Sequence, residues 1–488
     1  MAIDTRHPQL VEVIPDYVKI SDCLKGQRAI KNKTSEYLPP PEEGRVNTLR
    51  YRNYINRAQF VDYTHRELET LVGLAFSKEV IVELPPELEP LLENVNGNGL
   101  GLVQMAKKMM AYVLAFSRAS LLVEYAQTTD TPTSVSQFQN GVLPTIKLGK
   151  PTSLINWFGQ PQVHSVVFSE QFEVVQDFEV SYEERLKLFS LMQSDMINPN
   201  PDGGVAFTAY IETSKGWEVE NEGLITTASG AALQRLPVLV AGAENNDYSV
   251  DRPRFIGKAE VNISHYQSSA DNEEGVFKTG QATYVIANVD LDEMADRFPD
   301  GVRVGSNYVV TLPQGATASI LQTAPNNAAQ EQMRLKVDQL EALGAVRLDA
   351  LGSAKTATEI LFTETIRNGA LRNAAKNVSD VITNALKLAA EYISINPALQ
   401  EEIKFEIDVS AGIVGLDTAL LASLSQLHSG GLLSLNEVRN VLKKAGLATE
   451  DGDNELLTPI EFEPPAQAAP QEEEEEETPE DQAVTDEL

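Results

Sequence analysis

The chain has 488 residues, 42% hydrophobic and 23% charged, the composition of an ordinary globular protein with room for two to four domains or one elaborated one. Lys and Arg number 39 against 71 Asp and Glu, a formal charge of −32, which argues against tight wrapping of nucleic acid because phosphate binding draws on cationic patches. The single cysteine, Cys23, excludes an intrachain disulfide framework and a cysteine-rich zinc site, and the five histidines stand singly.

Residues 1–20 carry Asp4, Glu12, Pro15 and Asp16 without a basic or apolar leader pattern, so no signal peptide is expected. The longest apolar runs fall far below the roughly 18–20 residues of a membrane span, so no membrane partner is expected. After the proline-rich "SEYLPPPEEGR", residues 48–76 read as one helix. Tyr54, Ala58, Val61, His65, Leu68 and Val72 recur there at three- and four-residue steps. Residues 85–126 read as a short helix, a Gly/Asn turn, a long helix and the strand "ASLLVEYA".

Between 127 and 245 the pattern turns to β structure. Strands are predicted at "GVLPTIKL", "QVHSVVFSEQFEVVQDFEV", "VAFTAYIET" and "LPVLVAGA", and a short helix at "SYEERLKLFSLMQS". In the helix that follows, Ile256, Ala259, Ile263, Tyr266, Ala270 and Phe277 form an apolar seam. This helix also holds His265, Ser268, Ser269 and Asp271, the side-chain types of a nucleophilic triad. His265 and Asp271 lie six residues apart, so on one helix they point about 120° away from each other. The triad reading therefore fails, and an amphipathic packing helix is expected.

Residues 281–325 are short and β-leaning around an acidic helical turn, "DLDEMADRF". Asn326 or Asn327 can cap the next helix, with Met333, Val337, Leu340 and Gly344 on one side. The capping box "TATE" opens a helix that could run to about Ile395, with Gly369 as a kink. Two further helices are read over 415–447. From Glu450 to Leu488 there are 16 acidic residues and no Lys or Arg, a composition that does not fold.

Other chemistry is looked for and not found. "GSAKT" (352–356) lacks the glycines of a phosphate loop, having Ala354 and Asp349 where they belong. "DLDEMADRFPDG" lacks the glycine and the terminal glutamate of a calcium loop. "NGNGLG" follows a helix instead of a strand, against a dinucleotide site. No catalytic residue, cofactor or metal is expected.

Six segments carry a resemblance: "RHPQL" (6–10), "KGQRAIKNKTSEYLPPP" (25–41), "YRNYINRAQFVDYTHRELETLVGLAF" (51–76), "SLINW" (153–157), "NISHYQSSADNE" (262–273) and "LEALGAVRL…KTATE" (340–359). In that order they resemble the portal proteins of tailed phages, the head-to-tail connectors, over most of residues 5–450. The resemblance implies a non-enzymatic, α+β, mainly helical ring subunit with wing, stem, clip and crown. It places a wing at 1–252, a first stem helix at 253–278, a clip at 279–325 and a second stem helix at 326–344. A tunnel loop follows at 345–356, the long wing helix and a strand at 357–410, crown helices at 411–448 and the acidic tail at 449–488.

It further implies a homo-oligomeric ring, usually of twelve subunits, at the unique capsid vertex of a virion assembled in the host cytoplasm. Double-stranded DNA would pass through it during packaging and ejection. Partners would be the terminase large subunit, a head-completion adaptor or tail proteins, and the major capsid and scaffolding proteins. Stem packing falls to Ile256, Ile263, Tyr266, Ala270, Met333, Val337 and Leu340. An acidic ring would repel the DNA backbone, and the channel cations would be Arg347 and Lys355, then Arg334 and Lys336. The alternatives are another ring-forming head-completion protein and a cytosolic hydrolase.

Overall fold

The computed structural model describes residues 2–409 except 43, 126–142, 160–161, 193–202, 281–282, 300–301, 303–310, 322–326 and 344–356, and beyond 409 only residues 426, 428–430, 434, 438 and 439; at 176, 283 and 357–368 it describes the backbone alone. The tunnel loop expected at 345–356, the acidic tail and nearly all of the crown expected at 411–448 therefore lie outside the described residues, as do Arg347 and Lys355.

The chain is α+β. It opens with α1, Pro8–Lys25, whose buried Leu10, Val13, Tyr17, Ile20 and Cys23 repeat at three- and four-residue steps. Gly26 ends it at φ +82°, and a Cβ there would lie 3.1 Å from Asp62 Oδ1, so both backbone and space select glycine. The next helix, α2 (Gln27–Asn32), follows at once.

The single helix expected over 48–76 is two, α3 (Leu49–Arg57) and α4 (Tyr63–Ala75). Ala58 is extended, with ψ 138°. The freed backbone donors find side-chain acceptors: Gln59 N–H donates to Ser269 Oγ at 3.1 Å and Phe60 N–H to Gln27 Oε1 at 3.1 Å. A helix can break where its lost hydrogen bonds are replaced.

The almost wholly apolar α5 (Leu102–Phe116) leads through Ser117, at φ +59°, into β2 (Arg118–Glu124). β2 is the centre of a three-stranded antiparallel sheet in the order β3 (Thr145–Gly149), β2, β9 (Val238–Gly242). A short β1 (Ile81–Glu83) pairs with β12 (Lys404–Glu406).

The second sheet is an antiparallel meander: β4 (Leu154–Phe158), β5 (Ser165–Gln176), β6 (Glu179–Met192), β7 (Gly204–Thr213) and β8 (Gly216–Leu224). The short helix expected at "SYEERLKLFSLMQS" is instead most of β6. Leu186 and Phe189 enter the core, and Lys187 is drawn into ion pairs with Glu124 and Glu170, both at 2.6 Å. Cross-strand partners override the helical propensity of the Glu- and Leu-rich segment.

A helix α6 (Ile256–Gly280) follows, then β10 (Thr283–Ala287), a short α7 (Leu291–Arg297), β11 (Thr317–Leu321) and α8 (Ala328–Ala342). Asn327 stands at the N-cap of α8 in helical conformation without a side-chain cap bond, so the expected cap is absent there; Asn326 is outside the described residues. The long α9 (Ala357–Tyr392) stays helical through Gly369 and stops three residues short of Ile395. From Leu371 on it buries Ala374, Val378, Ile382, Ala385 and Ala389 in the core, packing against α5, β9 and β2. A short α10 (Pro397–Glu401) precedes β12.

Candidate functional site

α6 is the element around which the rest is arranged. Its buried seam, Ile256, Ala259, Ile263, Tyr266 and Ala270, belongs to the main core, and the helix packs on α1, α3, α4 and α8 of the same chain. Phe60 meets Tyr266 edge-on at 6.1 Å. Phe277, the last residue of the expected seam, is exposed and covered on one side by the Arg57 guanidinium, 4.0 Å from the ring centre.

The polar residues of α6 stitch it to the N-terminal helices. Lys258 pairs with Glu67, both buried. Asn262 Nδ2 donates to Thr64 Oγ1 at 3.1 Å, Gln267 Nε2 to the Tyr37 carbonyl at 2.8 Å, and Cys23 Sγ to the Ala259 carbonyl at 3.7 Å. Burial pushes the Cys23 thiol up to about 12, so it packs as a small apolar group. Burial alone would raise the Glu274 carboxyl, but hydrogen bonds from Arg57 and Lys278 outweigh it and hold the group below the usual carboxylate range.

Of the triad-like side chains, Ser269 and Asp271 join this suture and Ser268 bonds within its own helix. Ser268 Oγ donates back to the Ser264 carbonyl at 3.2 Å, Ser269 Oγ accepts from Gln59, and Asp271 Oδ1 accepts from Tyr54 at 2.6 Å. His265 is buried edge-on to Tyr63, with ring centres 5.3 Å apart, and burial lowers its pKa. Among the described residues no hydrogen bond joins His265 to Ser268, Ser269 or Asp271. The arrangement holds helices together and offers no nucleophile.

α6 and α8 run antiparallel: a Cβ on Gly257, at the start of α6, would lie 3.9 Å from Leu343 Cδ1, at the end of α8. On α8 only Leu340 is buried, Met333 and Val337 are half-buried, and Gly344 is outside the described residues. Arg334 is exposed and Lys336 half-buried on the same helix. The chain between the two helices carries the antiparallel β10–β11 pair, whose register sets Tyr284 against Ile320. Tyr284, Val285, Ile320 and Leu321 are exposed, as is Leu291 on α7. Asp290 caps α7, accepting from the Asp292 N–H at 2.8 Å.

A cavity of about 530 Å³ opens between the two larger sheets, lined by Glu124, Lys147, Lys187, Phe207 and Tyr392 among others. Lys147 and Lys187 alternate with Glu124 and Glu170 in a closed ring of ion pairs. Burial opposes both charges, but the Glu124 and Glu170 carboxylates raise the Lys147 pKa, and the two lysines lower that of Glu170. The ring neutralises itself, which suits a structural ion cluster. Among the described residues no group of three or more His, Cys, Asp and Glu side chains is placed to hold a metal ion, and no helix is long and apolar enough to cross a membrane.

Residues 255–393, from the residue before α6 to just past the end of α9, match a family model described as "Domain of unknown function (DUF4055)". No curated protein matches the chain. Among solved structures, the chain is similar to one from the virion of a native gene transfer agent particle. The two share 11% identity and a TM-score of 0.40, over 78% of this chain and 89% of that one. It is also similar to one from the neck of an empty particle of the same kind, at 11% identity and a TM-score of 0.42, over 87% and 99%. At these scores neither alignment fixes a shared fold.

One surface was missed by sequence reasoning. The β5–β6 hairpin projects beyond its neighbours, and its tip residue, Phe178, is 101% exposed. One strand is predicted through the turn at Asp177–Phe178 and a helix from Ser181 on, so no hairpin is expected there.

Proposed function

We propose that this chain is a portal-type subunit of a phage-like particle. It assembles into a ring at the capsid vertex, through which double-stranded DNA enters and leaves. One observation supports this reading most directly. Two antiparallel helices, Ile256–Gly280 and Ala328–Ala342, are joined through a segment whose two paired strands expose apolar side chains to solvent. A two-stranded sheet with exposed faces is marginal by itself and gains stability from a covering partner. Of the six ordered sequence segments of portal type, residues 262–273 lie in the first of these helices and 340–359 begin at the end of the second, while the other four lie in earlier elements.

In this reading α6 and α8 are the stem and residues 279–325 the clip, where terminase and then adaptor or tail proteins would dock. The N-terminal elements and α9 are the wing, facing capsid and scaffolding protein. The work is mechanical and electrostatic, with no catalytic step. A chain of net charge −32 repels phosphates and limits sticking, while Arg347 and Lys355, followed by Arg334 and Lys336, hold the backbone at the narrowest point.

Light scattering and negative-stain imaging of the purified protein test the reading. A closed ring with a central channel is expected, at about 640 kDa for twelve copies of the 53.4 kDa chain. A monodisperse monomer or dimer at high concentration, with or without scaffolding protein, would count against it.

A further inference from the structure

The β5–β6 hairpin is built to reach another molecule. β4 pairs with β5 only as far as Phe168, and β7 pairs with β6 only from Arg185 onward. The six pairs from Gln171↔Glu184 to Gln176↔Glu179 therefore form a free two-stranded arm, about 20 Å long at ~3.4 Å per residue. Both of its edges lack a strand partner among the described residues, an arrangement that proteins ordinarily cover or blunt. The register sets Val175 against Val180 and Tyr182 against Glu173 on one face, and the three apolar side chains are 59%, 53% and 69% exposed. Phe178 stands at the tip between Asp177 and Glu179. Residues 171–184 hold five acidic side chains and no Lys or Arg.

The complementary surface is on the same chain. Residues 25–57 hold eight Lys and Arg against three Glu, a basic stretch in a strongly acidic protein. Lys25, Arg28 and Arg52 are exposed there and make no ion pair among the described residues. Between the turn at Thr34–Ser35 and α3 lies a groove of about 520 Å³, lined by Thr34, Ser35, Asn47 and Arg52 together with Val46, Tyr51 and Ile55. A second depression of about 420 Å³ is lined by Lys25 and Arg28. A groove of mixed polarity that holds a guanidinium suits an aromatic ring flanked by carboxylates, through a cation–π contact and ion pairs.

We propose that the tip of this arm, Phe178 with Asp177 and Glu179, docks into the Val46–Tyr51–Ile55 groove of a second copy of the chain. Knob and groove are different surfaces of one subunit, so the contact is head-to-tail and repeats around a closed ring. The proposal rests on the ring reading above and adds the contact that sets its direction.

The test uses the full chain in three charge variants: D177K/E179K, R28E/R52E, and all four changes together. Circular dichroism confirms that each is folded. Sedimentation velocity at fixed concentration and low salt then reads the ring fraction. Each double variant is expected to lower that fraction at least tenfold, and the fourfold variant to restore most of it.

A trans cross-link gives the second readout. Variants F178C and N47C are made separately, mixed and treated with a short bis-maleimide. A covalent dimer is expected from the mixture and from neither variant alone. Rings that form normally in D177K/E179K, or a mixture that yields no cross-linked dimer, overturn the docking contact and leave the ring reading standing. A wild-type protein that stays monomeric overturns both. Cross-linking at Asn47 that rises only when residues 450–488 are removed assigns the groove to the acidic tail, which also overturns the proposal.

Discussion

The Tyr54 hydroxyl donates to Asp271 Oδ1 at 2.6 Å, joining α3 to the middle of α6 across 217 positions of sequence. Buried and bonded to a carboxylate, the phenol is held well above its ordinary pKa, by burial first and by the Asp271 hydrogen bond second. It stays a donor at any pH at which the fold survives.

Tyr54→Phe removes that donor and leaves the ring in place. A hydrogen bond to a charged acceptor contributes about 1.5–3 kcal/mol, and partial exposure of Asp271 puts this one at the low end. The expected loss is about 1–2 kcal/mol in urea-induced unfolding, with an unchanged m-value. Asp271→Asn keeps a weaker acceptor and is expected to cost about half as much. A loss below ~0.5 kcal/mol for Tyr54→Phe would mean that the bond is exchanged for water at no cost.

His265 makes stability depend on pH. Burial lowers its pKa in the folded chain, so below about 6.5 the unfolded chain binds the extra proton more readily. Stability is therefore greatest above that value and falls as pH drops through it. His7, also lowered by burial first and by Arg118 second, adds to the same slope. The facing group, Tyr63, supplies a ring edge and no charge. His265→Phe is expected to flatten the stability profile between pH 7 and 5 partly, leaving the His7 share. An unchanged slope in thermal unfolding would assign the whole dependence elsewhere.

What the sequence could and could not announce follows from the range of the forces. The face of α6 was legible because Ile256, Ile263, Tyr266 and Ala270 repeat at helical spacing, and periodicity is a local signal. The break between α3 and α4 was not, because Gln59 is captured by Ser269, 210 positions away. β6 was misread because Glu183, Glu184, Leu186 and Lys187 favour helices locally. What makes Lys187 a strand residue is Glu124, a partner 63 positions earlier. α1 was passed over although Leu10, Val13, Tyr17 and Ile20 carry its period, with Pro15 inside it masking the pattern. The exposed arm was hidden twice, by one strand run through the turn at Asp177–Phe178 and by a helix in place of the rest of β6.

The buried Lys258–Glu67 pair binds α6 to α4 and should be worth more in its breaking than in its making. Lys258→Met leaves the Glu67 carboxylate buried without its cation and is expected to cost about 3–5 kcal/mol. Combining it with Glu67→Leu removes both charges, and the double variant is expected to recover most of that loss. Chemical denaturation of all four members of the cycle gives the coupling directly. Additive losses would show that the pair exerts no mutual attraction.

The β10–β11 pair offers a way to separate folding from assembly. Tyr284 and Ile320 face each other across the strands and are both exposed, so Tyr284→Ser with Ile320→Ser should change subunit stability by no more than about 0.5 kcal/mol. In the proposed ring these side chains would be covered, and losing them should raise the concentration for half-assembly about tenfold or more, since ~1.4 kcal/mol of contact is a factor of ten. Unfolding of the dissociated subunit and sedimentation across a concentration series read the two quantities independently. Equal assembly with unchanged stability would show that this apolar face stays uncovered in the ring, and the exposed side chains would then be free for a later partner docking on the finished assembly.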